Sequence, residues 1–183
     1  MSELKLGDRV ASGEGRFSPV IAFLHRELEV QVEFVKLTFL VGDKQHTIDL
    51  TADHRIFVLD NSTRVDVAAS DVRVSSALVV QGQENQLLSG LVTAVSKLHL
   101  PGAVAPLTYD GTVVVNGVLS SCYAYVRHSI SHAAFSPLRL LHSAWPQAVS
   151  SLVTFDQQQK SYVLPYASGL IAVFGPMFSV PRP

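Results

Sequence analysis

Short β-branched and apolar runs, each closed by a turn signal, recur along the chain as far as about residue 128. They constrain the fold more than any other feature. Val30-Gln31-Val32-Glu33-Phe34-Val35-Lys36-Leu37 begins with apolar–polar alternation, the period of a half-buried strand. Thr47 to Leu50 and Arg55 to Leu59 repeat the theme. Gly42-Asp43-Lys44 predicts a hairpin turn, and Asp60-Asn61-Ser62 closes the next strand. Strands are expected again over Val72 to Val74, Ala77 to Val80 and Leu91 to Val95. Asp110-Gly111 ahead of Thr112-Val113-Val114-Val115 predicts another hairpin. Many short strands at regular spacing argue an all-β fold, with a strongly curved or closed sheet.

An internal echo runs through these strands. Gly7-Asp8-Arg9-Val10 followed by Ser18-Pro19-Val20-Ile21 resembles Ser70-Asp71-Val72 followed by Ser89-Gly90-Leu91-Val92. Duplication of one β unit explains the echo, and so does chance similarity among Val-rich strands.

The pattern changes after His128. Ile130, Ala134, Leu138, Leu141 and Trp145 fall on one helical face, with Pro137 inside it, which predicts a kink or two short helices. Pro146 is expected to end the segment. No charged residue occurs from Ser161 to Pro181. That length approaches a membrane span, but Pro165, Gly169, Gly175 and Pro176 interrupt it and favour an interfacial, lipid-contacting segment.

Composition excludes several classes. Lys+Arg number 14 and Asp+Glu 15, a net charge of −1, so the positive surface that displaces counterions from nucleic acid is missing. With 48% hydrophobic and 16% charged residues, the 183-residue chain can bury a sizeable core. Its single cysteine, Cys122, rules out a disulfide framework and a multi-cysteine zinc site. His128 and His132, four apart, have no local acidic or cysteine ligands and read as surface or capping residues. No cofactor or metal is implied. The N-terminal residues carry no apolar run of the kind a secretory signal needs.

Two segments carry chemistry. Leu50-Thr51-Ala52-Asp53-His54 puts a hydroxyl and an imidazole on one tight loop. An imidazole can protonate a leaving amide nitrogen while a hydroxyl holds the same peptide. The same residues also suit a plain turn with a satisfied histidine. Cys122, in Ser120-Ser121-Cys122-Tyr123-Ala124, is either a core thiol or a thiol poised by His54.

Taken together, the segments resemble a known family. Ala105-Pro106-Leu107-Thr108, Thr112-Val113-Val114-Val115-Asn116-Gly117 and Ser120-Ser121-Cys122-Tyr123-Ala124 resemble the last strands of the Hedgehog-type autoprocessing domain. Thr51-Ala52-Asp53-His54 resembles its Thr-x-x-His motif, and Gly7-Asp8-Arg9-Val10 its early Gly-Asp-x-Val strand. The helix with His132, Ala133, Phe135, Pro137, Leu138 and Arg139 resembles the segment that follows. The match runs in order over most of residues 1–142, and is similar to the Hint domains of Hedgehog, nematode Hedgehog-related proteins and inteins.

The resemblance implies a β horseshoe built by duplication, and a self-cleavage reaction in cis. A cysteine thiol attacks the preceding peptide carbonyl to give a thioester. A sterol hydroxyl then releases the upstream domain as an ester. By position, Thr51 would hold the scissile peptide and His54 would protonate its nitrogen. Cys122 would be the second, non-nucleophilic thiol, able to pair with the nucleophile or relay during redox exchange. The parent would follow the secretory route. Its partners would be its own upstream domain, a sterol or other small alcohol, and a membrane surface.

Two departures qualify this expectation. The family's nucleophilic cysteine lies upstream of the Gly-Asp-x-Val strand, where this sequence begins, so the chain reads as a fragment of a longer precursor. His25, in Phe23-Leu24-His25-Arg26, stands where Hedgehog carries an aspartate, so the acceptor is expected to be a sterol, another alcohol or water. Residues 1–128 would form the Hint domain, and residues 129–183 an adduct-recognition-like region. The competing readings are an inactive remnant that binds a lipid or partner, and a hydrolase acting in trans through Cys122 and His54.

Overall fold

In the computed structural model, which describes residues 1, 3–147 and 149, the run-and-turn pattern becomes nine strands and two short helices. The strands are β1 (Arg9–Gly13), β2 (Arg16–Val41), β3 (Lys44–Thr51), β4 (His54–Asp60), β5 (Thr63–Ala68), β6 (Ala77–Gln81), β7 (Leu87–Thr108), β8 (Thr112–Val115) and β9 (Val118–Ala124). The helices are α1 (His128–Ala134) and α2 (Ser136–Ala144). Sheet order is β1-β2-β7-β6-β4-β9-β8, with β3 added to β2, β5 added to β4, and a further β6–β9 pairing.

The expected turns at Gly42-Asp43 and Asn61-Ser62 join β2 to β3 and β4 to β5. Two expectations fail. Val72 to Val74 is not a strand: a 3-10 turn over Ala69–Asp71 precedes it, and Val72 plugs the core at 1% exposure. Asp110-Gly111 joins no hairpin, because β8 pairs with β9. The hairpin turn is Asn116-Gly117, with φ of 49° and 81°, the left-handed pair that matches strand twist.

β2 has 26 residues and β7 has 22, and they pair along most of their length. A straight 26-residue strand would span roughly 85 Å at its rise per residue. A domain of this length is only about 40 Å across. The ribbon must therefore bend, and it does so at register slips, three of which fall between Val20 and Gln31. Gly102 sits at the widest slip with φ +75°. A Cβ there would lie 2.6 Å from Glu27 O and 2.8 Å from Leu28 Cα, so only glycine fits.

The internal echo is real in geometry, in a different register from the one read in sequence. Asp8 N–H donates to Lys5 O (3.2 Å), and Lys5 N–H donates to Asp8 Oδ2 (2.8 Å). Ser76 N–H donates to Arg73 O (3.0 Å), and Arg73 N–H donates to Ser76 Oγ (3.0 Å). Gly7 and Ser75 are both left-handed, at φ +85° and +72°. Gly7 and Asp8 then exchange two backbone bonds with Val20, as Ser75 and Ser76 do with Val92. Ser75-Ser76, rather than Ser70-Asp71, is the counterpart of Gly7-Asp8.

The sheet encloses two cores, each built from residues of both units. Val35, Leu37 and Phe39 of β2 pack with Ile48, Leu50, Ile56, Val58, Leu78 and Val118. Ile21, Ala22, Leu107, Val113, Cys122, Tyr123, Phe135 and Leu138 form the second. The expected helical break at Pro137 is present, since Pro137 starts α2 in the first turn, where its missing N–H costs nothing. α2 ends before Trp145, and Pro146 opens further helical backbone rather than ending it. Ile130 and Trp145 are exposed, and Phe135 and Leu138 make the buried contact. Among the described residues no helix is long and apolar enough to cross a membrane. Residues 161–181 lie outside the described residues.

Candidate functional site

The Thr51–His54 turn joins β3 to β4 and is pinned from two sides. Ala52 O accepts from Ser70 N–H (2.9 Å), and Asp53 O accepts from Tyr125 N–H (3.2 Å). Thr51 is half-buried opposite Phe34 of β2. His54 opens β4 opposite Ala124, and Ile56 lies opposite Ser120. Two residues of advance on β4 therefore match four on β9, a bulge that takes Ser121–Tyr123 out of register with β4.

The bulge builds the site. Ser121 is freed to receive the His54 ring through its backbone. Burial pushes the His54 imidazole below its ordinary range, and the hydrogen bond to Ser121 partly offsets this. His54 is therefore neutral at pH 7, with its ring hydrogen-bonded to the Ser121 backbone on β9. Cys122 N–H donates to Gly111 O (2.9 Å). Cys122 Sγ lies 3.4 Å from Thr108 Oγ1, which itself donates to Thr112 O (2.8 Å).

Cys122 is only 2% exposed, and burial pushes its thiol up to about 11. Its hydrogen-bonding partner is Thr108 rather than His54, so it is a core thiol and not a poised thiolate. This removes the support for a hydrolase acting in trans through Cys122.

His25 stands apart. It pairs with Ala105 of β7 at a register slip, and its Nε2 is 3.6 Å from Glu27 Oε2. Among the described residues no hydrogen bond or ion pair joins it to Thr51, His54 or Cys122. The structure thus places Thr51 and His54 on one turn against β9, the strand that carries Cys122, and His25 on β2 paired with β7.

Sequence reading missed Ser121, His128 and Asp66. His128 is not a surface residue. Its ring packs edge-on to Phe57 (5.2 Å between centroids) and stacks on His132 (5.4 Å, 13°). His128 Nδ1 lies 2.9 Å from Ser121 Oγ. Burial, then the neighbouring His132, pushes His128 down to about 4. His132 Nδ1 is 3.3 Å from Tyr123 OH, and burial also lowers its pKa. No signal for these contacts exists in the sequence beyond the i, i+4 histidine pair, because the bulge creates them.

A cleft of about 280 Å³ opens beyond these histidines, lined by Glu14, Arg16, Arg64, Asp110, His132 and Arg139 among others. It includes none of Thr51, His54, Cys122 or His25. Its cations are already engaged: Arg16 and Arg64 pair with Glu14, and Arg139 donates to His132 O (2.6 Å). No cluster of three or more His, Cys, Asp or Glu residues suited to a metal occurs among the described residues.

A turn bearing Thr and His, set against a bulged strand inside a duplicated β ribbon, is a specific arrangement. The family model of the Hint module matches residues 1–176. The chain belongs to the Hint family. It is 33% identical over 188 residues to protein hedgehog of Drosophila erecta, covering 94% of this chain and 40% of that protein. To sonic hedgehog protein of Danio rerio it is 32% identical over 177 residues, covering 87% of this chain and 41% of that one. To Warthog protein 6 of Caenorhabditis elegans the identity is 38% over 130 residues, 68% of this chain and 21% of the relative. This Hint chain thus spans well under half the length of these curated relatives.

Among solved structures, the gp41-1 intein matches with a TM-score of 0.50 and 15% identity, over 66% of this chain and 84% of that one. The Mvu transcription factor IIB mini-intein also matches with a TM-score of 0.50 and 15% identity, over 62% and 71%. These two likenesses concern the fold, and they agree with the expected all-β Hint architecture.

Proposed function

We propose that this Hint domain is the self-cleaving part of a Hedgehog-like precursor, acting in cis on a peptide bond just upstream. The observation that carries the reading is the buried, neutral His54, held through one ring nitrogen on the bulged strand β9. In this reading an upstream cysteine thiol attacks the preceding carbonyl carbon. The other ring nitrogen of His54 takes the thiol proton. Its depressed pKa makes the resulting imidazolium a stronger acid than an ordinary one, and it returns that proton to the departing amide nitrogen as the C–N bond breaks. Thr51, on the same turn, holds the peptide. The product is a thioester on the upstream cysteine. An acceptor hydroxyl then attacks the thioester carbonyl, its proton passes to a base, and the thiolate leaves.

His25 is proposed as that base. The acceptor is proposed to be a sterol, another small alcohol or water. Residues 1–128 would perform the chemistry, and residues 129–183 would bring the acceptor, at a membrane surface. The parent would follow the secretory route, as the hedgehog relatives suggest. Cys122 is proposed as the second thiol near the centre, kept protonated by burial.

The test is a fusion in which a reporter and a hedgehog-type Gly-Cys-Phe junction strand precede residue 1. Cleavage products are weighed by mass spectrometry with cholesterol, with dithiothreitol, and with neither. Reporter ester with cholesterol, or thiol adduct with dithiothreitol, is the expected result. A folded fusion that stays whole under all three conditions overturns the proposal, and leaves the lipid- or partner-binding remnant as the better reading.

A further inference from the structure

The reading of His54 as proton carrier leaves one feature unused. A continuous run of hydrogen bonds leads from the neighbour of His54 in sequence, around through α1, and back to the residue that holds the His54 ring. Arg55 follows His54 on β4. Its Nε donates to Asp66 Oδ2 (2.8 Å), and a second nitrogen donates to Asp66 O (2.6 Å). The same Asp66 Oδ2 accepts from His128 N–H at the start of α1 (3.1 Å). The His128 ring reaches Ser121 Oγ (2.9 Å), which also accepts from Tyr123 N–H (3.1 Å). Ser121 then bonds His54 through its backbone.

Each link is made in a sheltered setting. The Arg55 and Asp66 side chains are 15% and 17% exposed. Burial alone would raise the Asp66 carboxyl, but the His128 N–H and Arg55 outweigh it and hold it below its ordinary range. The His128 ring is fixed by Phe57, Tyr123 and His132. The charged and titratable groups around it are His132 on its own helix, Asp66 and Arg64 from β5, and Arg139 from α2. With His128 neutral and its proton on Nε2, Nδ1 accepts a hydrogen bond from the Ser121 hydroxyl. Ser121 Oγ then accepts from Tyr123 N–H and donates to His128.

A bulged strand has lost its ladder on one side and needs other partners to hold its backbone. Here they come from β5 and α1. We propose that Asp66 and His128 are positioning residues for His54, acting through Ser121 to fix the β9 backbone that sets the orientation and tautomer of the His54 ring. The inference rests on the reading of His54 as the proton carrier, but its test does not require cleavage.

The test is imidazole nitrogen NMR on the 183-residue chain. In the wild type, His54 should show a single tautomer, with its two ring-nitrogen signals far apart. Ser121→Ala and His128→Phe should each draw the two His54 signals together, as the ring samples both tautomers. His128→Asn places an amide oxygen near the position of Nδ1 and should restore the wild-type pattern. Asp66→Asn should give an intermediate pattern. Thermal melts confirm that each variant is folded, and His128→Phe keeps the aromatic packing. Wild-type His54 signals in both folded Ser121→Ala and folded His128→Phe would overturn the inference. So would failure of His128→Asn to restore the pattern. Failure of the cleavage reading would show instead in the fusion assay, with the NMR pattern untouched.

Discussion

The two units of the duplication share a turn, and the two cores they build together differ in character. Lys5–Asp8 and Arg73–Ser76 make the same side-chain bond, the same backbone bond, and the same two-bond exchange with the following strand. Residues of both units enter each of the two cores, and the cores differ. The first is aliphatic with one phenylalanine, Phe39, and it supplies the Thr51–His54 turn at its edge. The second carries Cys122, Tyr123 and Phe135, and its outer wall holds His128 and His132. β9 runs from one core to the other, with Val118 in the first and Cys122 in the second. The symmetric part of the molecule is thus its scaffold. The candidate site lies at the β9 bulge, on the seam between the two cores.

That contrast can be broken at several points. The largest effect should come from the first core. Phe39 is fully buried, and Gly90 and His46 pack against its ring. Phe39→Ala should cost about 3–5 kcal/mol in denaturant unfolding. A cost near zero would mean that the first core is not the structural half.

Acid should act on the seam instead. His54, His128 and His132 all have depressed pKa values in the fold, with burial the leading cause. As pH falls below 6.5, the unfolded chain takes up protons that the folded chain refuses. Stability is therefore full above about 6.5 and is lost as pH falls toward about 4. His128→Phe should flatten this dependence in melts between pH 7 and pH 4, and an unchanged slope would contradict the assignment.

A third comparison exchanges residues between the twin turns. Gly7 and Ser75 are both left-handed, and a Cβ at Gly7 meets nothing within 4 Å. Gly7→Ala should cost about 1 kcal/mol from backbone strain alone. Ser75→Gly should relieve strain and raise the melting temperature. If the two changes have the same sign, the turns are not equivalent.

The smallest effect is expected at Ser120. Its hydroxyl is fully buried opposite Ile56 and has no hydrogen-bond partner among the described residues. Ser120→Ala should leave stability unchanged or slightly higher, because an unpaired buried hydroxyl contributes no compensating bond. A clear loss in a melt would show that the hydroxyl has a partner.

Much of the fold was legible because strands and turns are local. The β2–β3 and β4–β5 hairpins and the break at Pro137 follow from residues adjacent in sequence. What failed was non-local. Val72 has the composition of a strand but plugs the core beside a 3-10 turn. Asp110-Gly111 looks like a hairpin turn, yet β8 finds its partner in β9. The echo was seen at Ser70-Asp71, because Asp matches Asp by eye, whereas hydrogen bonding matches Asp8 with Ser76. At the site, Thr51 and His54 carry a motif and could be named. Ser121, Asp66 and His128 could not, since a bulge alone brings them together and no residue pattern announces it.

The central claim is that His54 moves the proton that lets the upstream peptide bond break. Its most direct test is the rate of dithiothreitol-induced cleavage of the junction fusion, wild type against His54→Ala, both verified as folded. The account predicts measurable cleavage in the wild type and a loss of about 100-fold or more in the variant. Equal rates in the two proteins would contradict it.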